Sequence, residues 1–400
     1  MATSVDEAAG NGTVRTAPAI NGCGRRCGAV TVASMRFPQD VPVLGDGKVT
    51  LRAHGMDDLD AIVEQGSDPQ MAAWTTVPDP YGREDALDWV RTKVPEGWAD
   101  GSNLGFAVER EGAYAGSVDL RPRDEAEAEV GYALHPAHRG KGVMHAALNL
   151  ILDWGFEQRG FSVVTWRANV GNWASRRVAW ATGFHFGPTV PRMLLQRGEA
   201  RDAWTGWIGA DDPRRPTCPW LDPPVLEAGD LRLRAWREED ADRVVEASND
   251  GRLRHYAPQS PLPHARDDVP AYLLRIRQAA AEGTRMSWCV ADRDTDEALG
   301  SVALFEFGPD GSAQVGYWSH PAARGRGVIS RATRLVADWA LTPAPRGFGL
   351  RRLFLLCAVG NTASRRVAEQ SGFVHVGTER SAAPAGGGYD DNAVYDRLAE

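Results

Sequence analysis

A chain of 400 residues is long for a single core, and at roughly 150 residues per domain it predicts two or three folded units. Hydrophobic residues make up 43% of the chain and charged residues 24%, which is typical of a globular protein. The net charge of −8 argues against nucleic acid as a partner, because a polyanion is bound through Lys and Arg. No apolar run approaches the roughly 18 residues that span a membrane.

The N-terminal segment predicts a disordered tail over residues 1–44. It is rich in Gly, Ala and Thr and has no long apolar stretch after a basic start, which argues against a secretory signal. The five cysteines are an odd number, and Cys23 and Cys27 have no second pair of ligands nearby. We therefore expect reduced thiols, a cytoplasmic location and no metal site.

Two domains are predicted because the chain repeats itself. Residues 49–53 and 231–235 each form a predicted strand that leads into an acidic helix start. A hairpin follows in each half, and its strands are 106–108 with 116–118 and 288–290 with 300–302. Between the halves, residues 210–226 are dense in proline and predict a semi-rigid linker. The expected domains are therefore 45–209 and 227–400.

The clearest repeat is the segment VGYALHPAHRGKGV at Val130, which returns as VGYWSHPAARGRGV at Val315. In each copy an apolar strand ends in a basic, glycine-rich loop that opens a helix. Glycine allows close approach of the backbone, and the amides at a helix start point outward beside the positive end of its dipole. Each loop therefore predicts a site for a diphosphate group.

A second motif follows each of these helices. After a predicted strand at 163–168 or 353–358, the chain carries N-x-x-S, as Asn172 with Ser175 and as Asn361 with Ser364. The helix that follows ends in Gly-Phe in both halves. A purely structural role for the pair is equally open, since Asn is among the best N-cap residues.

The strand, the R-G-x-G loop, the helix and the N-x-x-S motif together resemble the GNAT acyltransferase superfamily. Within it, the chain resembles the ribosomal-protein N-terminal acetyltransferases of the RimJ/RimL type, over nearly the whole of both halves. The resemblance implies a mixed α/β (α+β) fold of two tandem GNAT-like domains, each a twisted mixed β-sheet flanked by helices. It also implies acetyl-CoA as the acyl donor, no metal, and an amine acceptor, either a small molecule or a protein N-terminus.

By this resemblance, the pyrophosphate of acetyl-CoA lies on the backbone amides of the loop, and the pantetheine pairs with the strand before it. The implied loop residues are Arg139, Gly140, Lys141, Gly142, Val143 and Met144, and in the second half Arg324, Gly325, Arg326, Gly327, Val328 and Ile329. The implied pantetheine contacts are Ala133, Leu134 and Asn172, and in the second half Trp318, Ser319 and Asn361. Family members usually carry Gly or Ala in place of Met144 and Ile329, so we expect these larger side chains to crowd the phosphates.

The resemblance also implies which residues carry out the reaction. Glu129 occupies the position where the family often places a carboxylate near the acceptor, and it could deprotonate an ammonium. Its equivalent in the second half is Gln314, which takes no proton at neutral pH, so the first domain is predicted to be the active one. Ser175 and Ser364 are the implied proton donors to the departing thiolate. Trp74 and Trp173 could line an acceptor pocket.

Two functions stay open from the sequence. One is an N-acetyltransferase with a catalytic N-terminal domain. The other is an acyl-CoA-binding sensor or scaffold with one or both domains inactive, and Gln314, Met144 and Ile329 favour it. Glu129 could also belong, with Glu125 and Glu127, to a solvated hairpin edge. No nucleic acid or membrane partner is expected, and the chain could be a monomeric pseudo-dimer or a homodimer.

Overall fold

The computed structural model describes residues 36–400 and contains two α/β domains, each built on its own mixed sheet. The first 35 residues, with Cys23 and Cys27, lie outside the described residues. Val41 is only 8% exposed and packs in the core of the first domain. The predicted tail boundary at residue 44 is therefore too late, because the preceding residues already contribute to the core.

The first domain consists of nine strands and six α-helices within the described chain. Its strands are β1 (Leu44–Gly45), β2 (Thr50–Arg52), β3 (Leu104–Arg110), β4 (Ala113–Pro122), β5 (Glu127–Leu134), β6 (Val163–Asn169), β7 (His185–Phe186), β8 (Val190–Gln196) and β9 (Glu199–Gly209). Its helices are α1 (Leu59–Gly66), α2 (Pro69–Trp74), α3 (Arg83–Asp88), α4 (Val94–Asp100), α5 (Val143–Glu157) and α6 (Trp173–Thr182), with a π-helical segment at Trp89–Lys93.

The second domain repeats this order from residue 226 onward. Its strands are β10 (Leu226–Ala228), β11 (Leu231–Arg234), β12 (Arg285–Asp292), β13 (Ala298–Phe305), β14 (Ser312–Ser319), β15 (Arg352–Ala358), β16 (Val374–Ala385) and β17 (Gly388–Leu398). Its helices are α7 (Ala241–Ser248), α8 (Gly251–Tyr256), α9 (Val269–Ala281), α10 (Val328–Leu341) and α11 (Thr362–Gln370). The duplication expected from the sequence thus extends to element order, except that α9 takes the place of α3 and α4, and β16 that of β7 and β8.

Each sheet contains one parallel pair of strands among antiparallel neighbours. In the first sheet this pair is β5 with β6, and in the second it is β14 with β15. The long helices α5 and α10 make the crossover that a parallel pair requires. Pairing between β5 and β6 covers only Glu127–Glu129 against Val163–Thr165, and the strands then part. The backbone edge of residues 130–134 therefore borders an open wedge, and the second sheet opens in the same way after Gln314.

The two faces of the first sheet are covered differently. Helices α4, α5 and α6 cover one face, where Trp98, Phe106 and Trp154 pack edge to face or tilted in the core. The buried residues of α5, among them Ala147, Leu148 and Ile151, face this core. The other face is covered by α1 and α3 over β3 and β4. We call it the α1 face, and because side chains alternate along a strand it carries Asp119, Arg121, Glu129, Ala133 and Arg167.

The linker is packed rather than free. Leu221 is 2% exposed in the core of the second domain, and its amide donates to the Ala280 carbonyl at 2.9 Å. The second domain therefore begins near residue 220, earlier than the predicted 227. Across residues 36–400, no helix is long and apolar enough to span a membrane.

Candidate active site

The glycine-rich loops have the shape that the sequence predicts. Gly140 and Gly142 have φ values of 71° and 72°, and Gly325 and Gly327 have 75° and 67°. Residues with a Cβ atom rarely adopt this left-handed conformation, which explains why glycine occupies these four positions. Gly142 caps α5, whose first-turn amides have no partner within the helix. Each domain therefore presents an exposed turn and a helix start suited to a diphosphate.

The Arg139 side chain anchors the glycine-rich loop to a neighbouring helix. Its guanidinium lies 2.5 Å from the Asp68 carboxylate at the start of α2, and this ion pair lowers the pKa of Asp68. Arg324 makes the same 2.5 Å contact with Asp250 before α8. These ion pairs fix each loop to the neighbouring helix, α2 or α8, while residues 140–142 and 325–327 remain exposed.

The histidine before each loop has a turn role. Nδ1 of His135 accepts the Ala137 amide at 3.3 Å, while Nε2 lies 3.1 Å from Glu64 on α1. His320 repeats the arrangement with Glu246 at 2.9 Å. The H-P-x-x-R segment therefore connects the end of β5 or β14 to the first helices of its domain.

The expected crowding by Met144 and Ile329 is wrong. Met144 is 2% exposed and belongs to the core of the first domain, and Ile329 is 5% exposed in the core of the second. Both side chains point into the protein because they share a helix face with other core positions. The large side chains at these two positions therefore do not argue against cofactor binding.

Ser175 bridges the wedge between β5 and β6. Its hydroxyl donates to the Tyr132 oxygen at 3.1 Å and accepts from the Trp166 indole at 3.1 Å. Burial raises the pKa of Tyr132, so this hydroxyl stays protonated at neutral pH. Asn172 accepts the Ser175 amide at 3.2 Å, as an N-cap does. Asn172 therefore has a structural role as the N-cap of α6.

The second domain has the same bridge in simpler form. Ser364 and Tyr317 share a hydrogen bond of 2.8 Å between their hydroxyls, and Asn361 accepts the Ser364 amide at 3.2 Å. The tryptophan donor is missing, because Leu355 stands where Trp166 stands in the first domain. The wedge is thus built in both domains.

Glu129 lies in a cage of arginines. The guanidinium groups of Arg123 at 2.8 Å, Arg121 at 3.6 Å and Arg167 converge on its carboxylate, and the residue is 7% exposed. Burial alone would raise the pKa of Glu129, but the three arginines together hold it below its usual value. Glu129 is therefore not part of a solvated hairpin edge, and Glu125 lies in the turn before β5 rather than on the strand.

Asp119 is a second carboxylate on the α1 face that the sequence did not single out. Burial raises the pKa of Asp119, against the opposing effect of Arg121 at 2.8 Å. The carboxylate lies over Gly131, where an added Cβ would meet its Oδ2 at 2.7 Å. Two neighbouring carboxylates with oppositely shifted pKa values are a common arrangement for acid and base chemistry.

A cavity of about 700 Å³ lies at the end of β6, between the end of α2 and the β8–β9 hairpin. Trp74 and Asn169 line it, as does Gln196, which donates to the Ala73 carbonyl at 2.7 Å. The Asn169 side-chain oxygen is buried without a hydrogen-bond partner in the described chain. The cavity thus offers an aromatic wall and an unused acceptor.

Trp173 is not part of this cavity, which corrects the expected pairing with Trp74. Its ring packs 4.5 Å from that of Trp204, and the guanidinium of Arg277 from the second domain lies 4.6 Å above it. Trp173 therefore faces the other domain.

The equivalent face of the second domain, which we call the α7 face, is apolar. Trp318 takes the place of Ala133, and its ring stacks on Trp236 with centroids 5.6 Å apart. The cluster around them includes Leu262 and Tyr272. Gln314 pairs with Phe305 and Phe354 rather than with charged residues. Aromatic side chains thus fill the space that is polar in the first domain.

Comparisons with known proteins agree with this architecture. A family model described as an acetyltransferase (GNAT) domain matches residues 48–185 and 230–374. The ribosomal-protein-serine acetyltransferase of Escherichia coli is 31% identical over 107 residues, which is 26% of this chain and 57% of that protein. A putative ribosomal N-acetyltransferase of Bacillus subtilis, YdaF, is 29% identical over 126 residues, 31% of this chain and 61% of that protein.

Among solved structures, Mycobacterium smegmatis RimJ in complex with CoA-disulfide aligns with a TM-score of 0.39 and 22% identity, over 44% of this chain and 86% of that one. The matched segments span 57% and 61% of the two curated relatives. The two family-model matches fall one on each sheet and together cover more than half of the chain. The chain therefore belongs to the GNAT acetyltransferase family, with one such domain in each half.

Proposed function

We propose that the chain is an acetyl-CoA-dependent N-acetyltransferase whose N-terminal domain transfers the acetyl group to a primary amine of a small molecule or a protein N-terminus. The observation that carries this proposal is the contrast between the two clefts. Beyond the apolar cluster under α1, the α1 face carries the charged groups around Glu129, and Asn169 at the end of β6 lines a cavity, whereas aromatic rings fill the α7 face. The name of the E. coli relative also describes an acetyltransferase that acts on a protein.

The residues present fit acetyl-CoA as the donor substrate. The Gly140–Gly142 turn and the start of α5 would hold the diphosphate, and the backbone edge at 130–134 would pair with the pantetheine. Met144 leaves this surface free because its side chain lies in the core. The described chain has no cluster of side chains suited to a metal ion.

Acyl transfer to an amine requires a neutral amine and a proton for the departing thiolate. Asp119 is the better base, because burial raises its pKa while the arginine cage keeps Glu129 ionised and weakly basic. We assign Glu129 the task of holding Arg121 and Arg167 in place. The Ser175 hydroxyl, supported by Tyr132, is the proton donor nearest the wedge.

A narrower function is proposed for the C-terminal domain. It keeps the glycine turn and the Ser364–Tyr317 bridge, but its acceptor side is filled. Binding of acyl-CoA without transfer is the function that fits this combination.

Cys218, Cys289 and Cys357 are free thiols, which fits the cytoplasm as the place of the reaction.

Transfer can be measured as the free CoA thiol released when the full chain meets acetyl-CoA and a panel of amines and N-terminal peptides. Gly142→Ala is expected to lower kcat/KM on the order of tenfold, because a side chain there strains the turn by about 1–2 kcal/mol or reshapes it. Gly327→Ala is expected to leave transfer unchanged. Gly160→Ala is the matched control, since Gly160 has a φ of 77° and lies beyond the far end of α5.

Three outcomes would contradict the proposal. Silence across a broad panel would oppose transferase activity, and CoA binding without turnover would favour the sensor. Loss of transfer in Gly327→Ala but not in Gly142→Ala would move the reaction to the C-terminal domain.

A further inference from the structure

Arg176 is a charged residue buried at a sensitive place. It directly follows Ser175 on α6 and is 2% exposed. Its guanidinium carbon lies 4.6 Å from the ring centres of both Phe186 and Trp204, which together form an aromatic slot. Cation–π contacts stabilise such a group, but a buried charge also needs an ionic partner.

That partner comes from the other domain. Arg176 donates to the Glu282 carboxylate at 3.2 Å, and Glu282 directly follows α9. Gln278 donates to the same carboxylate oxygen at 2.9 Å and so fixes its position. Burial lowers the pKa of Arg176, and Glu282 opposes this effect. The charge on α6 of the first domain is thus balanced by a residue of the second.

Further contacts from the linker and the second domain reach the same helix. Arg277 of α9 covers the ring of Trp173, and the Trp180 indole donates to the Cys218 carbonyl at 2.8 Å. Arg177 pairs with Asp222 at 2.6 Å. The contact joins α6 to α9, which are not equivalent elements, so it is heterologous and differs from the interface of a two-fold pseudo-dimer.

Helix α9 is itself well anchored. Tyr272 and Ile276 belong to the aromatic cluster on the α7 face, whereas Leu274 packs against the core of the first domain. One helix therefore connects the filled cleft of the second domain with the helix that carries Asn172 and Ser175 in the first.

The equivalent helix of the second domain, α11, does not depend on an ionic partner from the other domain. Its equivalent arginine, Arg365, also follows the motif serine, but its Nε donates to the Tyr395 hydroxyl at 3.1 Å within the same domain. Arg365 is also more exposed than Arg176. The dependence on another domain is thus specific to α6.

We propose that the C-terminal domain completes the N-terminal active site, with Glu282 as a positioning residue that neutralises Arg176 and so holds Ser175 and Asn172 in place. This inference rests on the proposed function for its kinetic consequence alone. The structural consequence, a loosened α6, is independent of which acceptor the protein uses.

Glu282→Ala in the full chain tests this role. It is expected to raise the KM for acetyl-CoA and lower kcat, with kcat/KM at least tenfold down, because it leaves a buried guanidinium unpaired. Hydrogen exchange in residues 173–182 is expected to become faster, while exchange in residues 362–370 stays unchanged. Glu282→Gln should give a smaller effect, since an amide still accepts a hydrogen bond. Glu297→Ala is the control, because Glu297 pairs with Arg243 on the surface at 3.2 Å.

A double variant separates positioning from general damage. Arg176→Met removes the charge and places an apolar side chain between Phe186 and Trp204, so Arg176→Met with Glu282→Ala should recover most of the exchange protection and of the KM. The inference is overturned if Glu282→Ala leaves exchange in α6 unchanged, or if the double variant is no better than Glu282→Ala. If no acceptor is turned over, the proposed function fails, yet the exchange measurement still decides the role of Glu282.

Discussion

Replacing Ala133 with tryptophan is expected to reduce kcat/KM for acetyl transfer by roughly 100-fold or more, because misplacing an acceptor by about 1 Å is enough for a loss of that size. The side chain of residue 133 lies on the α1 face, on the same side of β5 as Glu129. At the equivalent position, Trp318 stacks on Trp236 and fills the cleft of the second domain. The variant therefore places in the first domain the aromatic ring that fills the equivalent cleft of the second.

Two controls accompany this variant. Ala113→Trp places the same ring at an exposed position at the start of β4, where little effect on transfer is expected. Trp318→Ala is expected to leave transfer unchanged, because the second domain lacks the carboxylates of the α1 face. An overpacked site costs about 1–3 kcal/mol, so thermal unfolding must show that Ala133→Trp remains folded at the assay temperature. Transfer above half the original rate would contradict the assignment of the reaction to the first domain.

Glu129→Gln is expected to lower the free energy of unfolding of the N-terminal domain by about 2 kcal/mol at pH 7. The change removes a charge-assisted partner from three arginines, and their partial exposure keeps the loss below that of a fully buried pair. The folded-state pKa of Glu129 lies below the unfolded value near 4.5. The stabilisation is therefore present above pH 4.5 and disappears as the pH falls through the folded-state pKa.

Urea unfolding of the N-terminal domain at several pH values measures this difference. The gap between Glu129→Gln and the unchanged chain should be constant near neutral pH and close in acid. Glu125→Gln, in the exposed turn before β5, should stay within about 0.5 kcal/mol at every pH. Unchanged stability together with a large loss of kcat would return Glu129 to the role of general base.

The local parts of the site could be predicted from the sequence. The glycine turns, the helices they open and the N-x-x-S caps depend on residues close together in the chain, so their patterns are visible without tertiary structure. The direction of the Met144 side chain could also be predicted from the sequence, because Leu148 and Ile151 lie on the same helix face four and seven positions later. Counting that face alone would have placed Met144 in the core.

The environment of Glu129 could not be predicted in the same way. Its arginines come from β4, from the turn that follows and from β6, and their convergence depends on the register of strands that are distant in sequence. A residue-by-residue comparison of the halves does carry a signal. In the second half, Phe305 replaces Arg121 and Leu356 replaces Arg167, at the same time as Gln314 replaces Glu129. Charges that disappear together indicate one cluster.

The position of Trp173 and the burial of Arg176 depend on the second domain. Within one half, both residues read as part of an ordinary amphipathic helix. Only the contact with α9 shows that α6 is an interface, and no periodicity in the first half encodes the residues across it.

The number of working sites per chain tests most directly whether one domain performs the transfer. A tight-binding compound that joins an acceptor amine to CoA through an acetyl bridge can be titrated against the enzyme while free CoA release is followed. Transfer is expected to fall linearly to zero at one equivalent per chain, because the filled α7 face excludes the amine portion. A linear fall that ends at two equivalents, together with at least half of the transfer remaining in Gly142→Ala, would show that both domains catalyse the reaction and would contradict this division of roles.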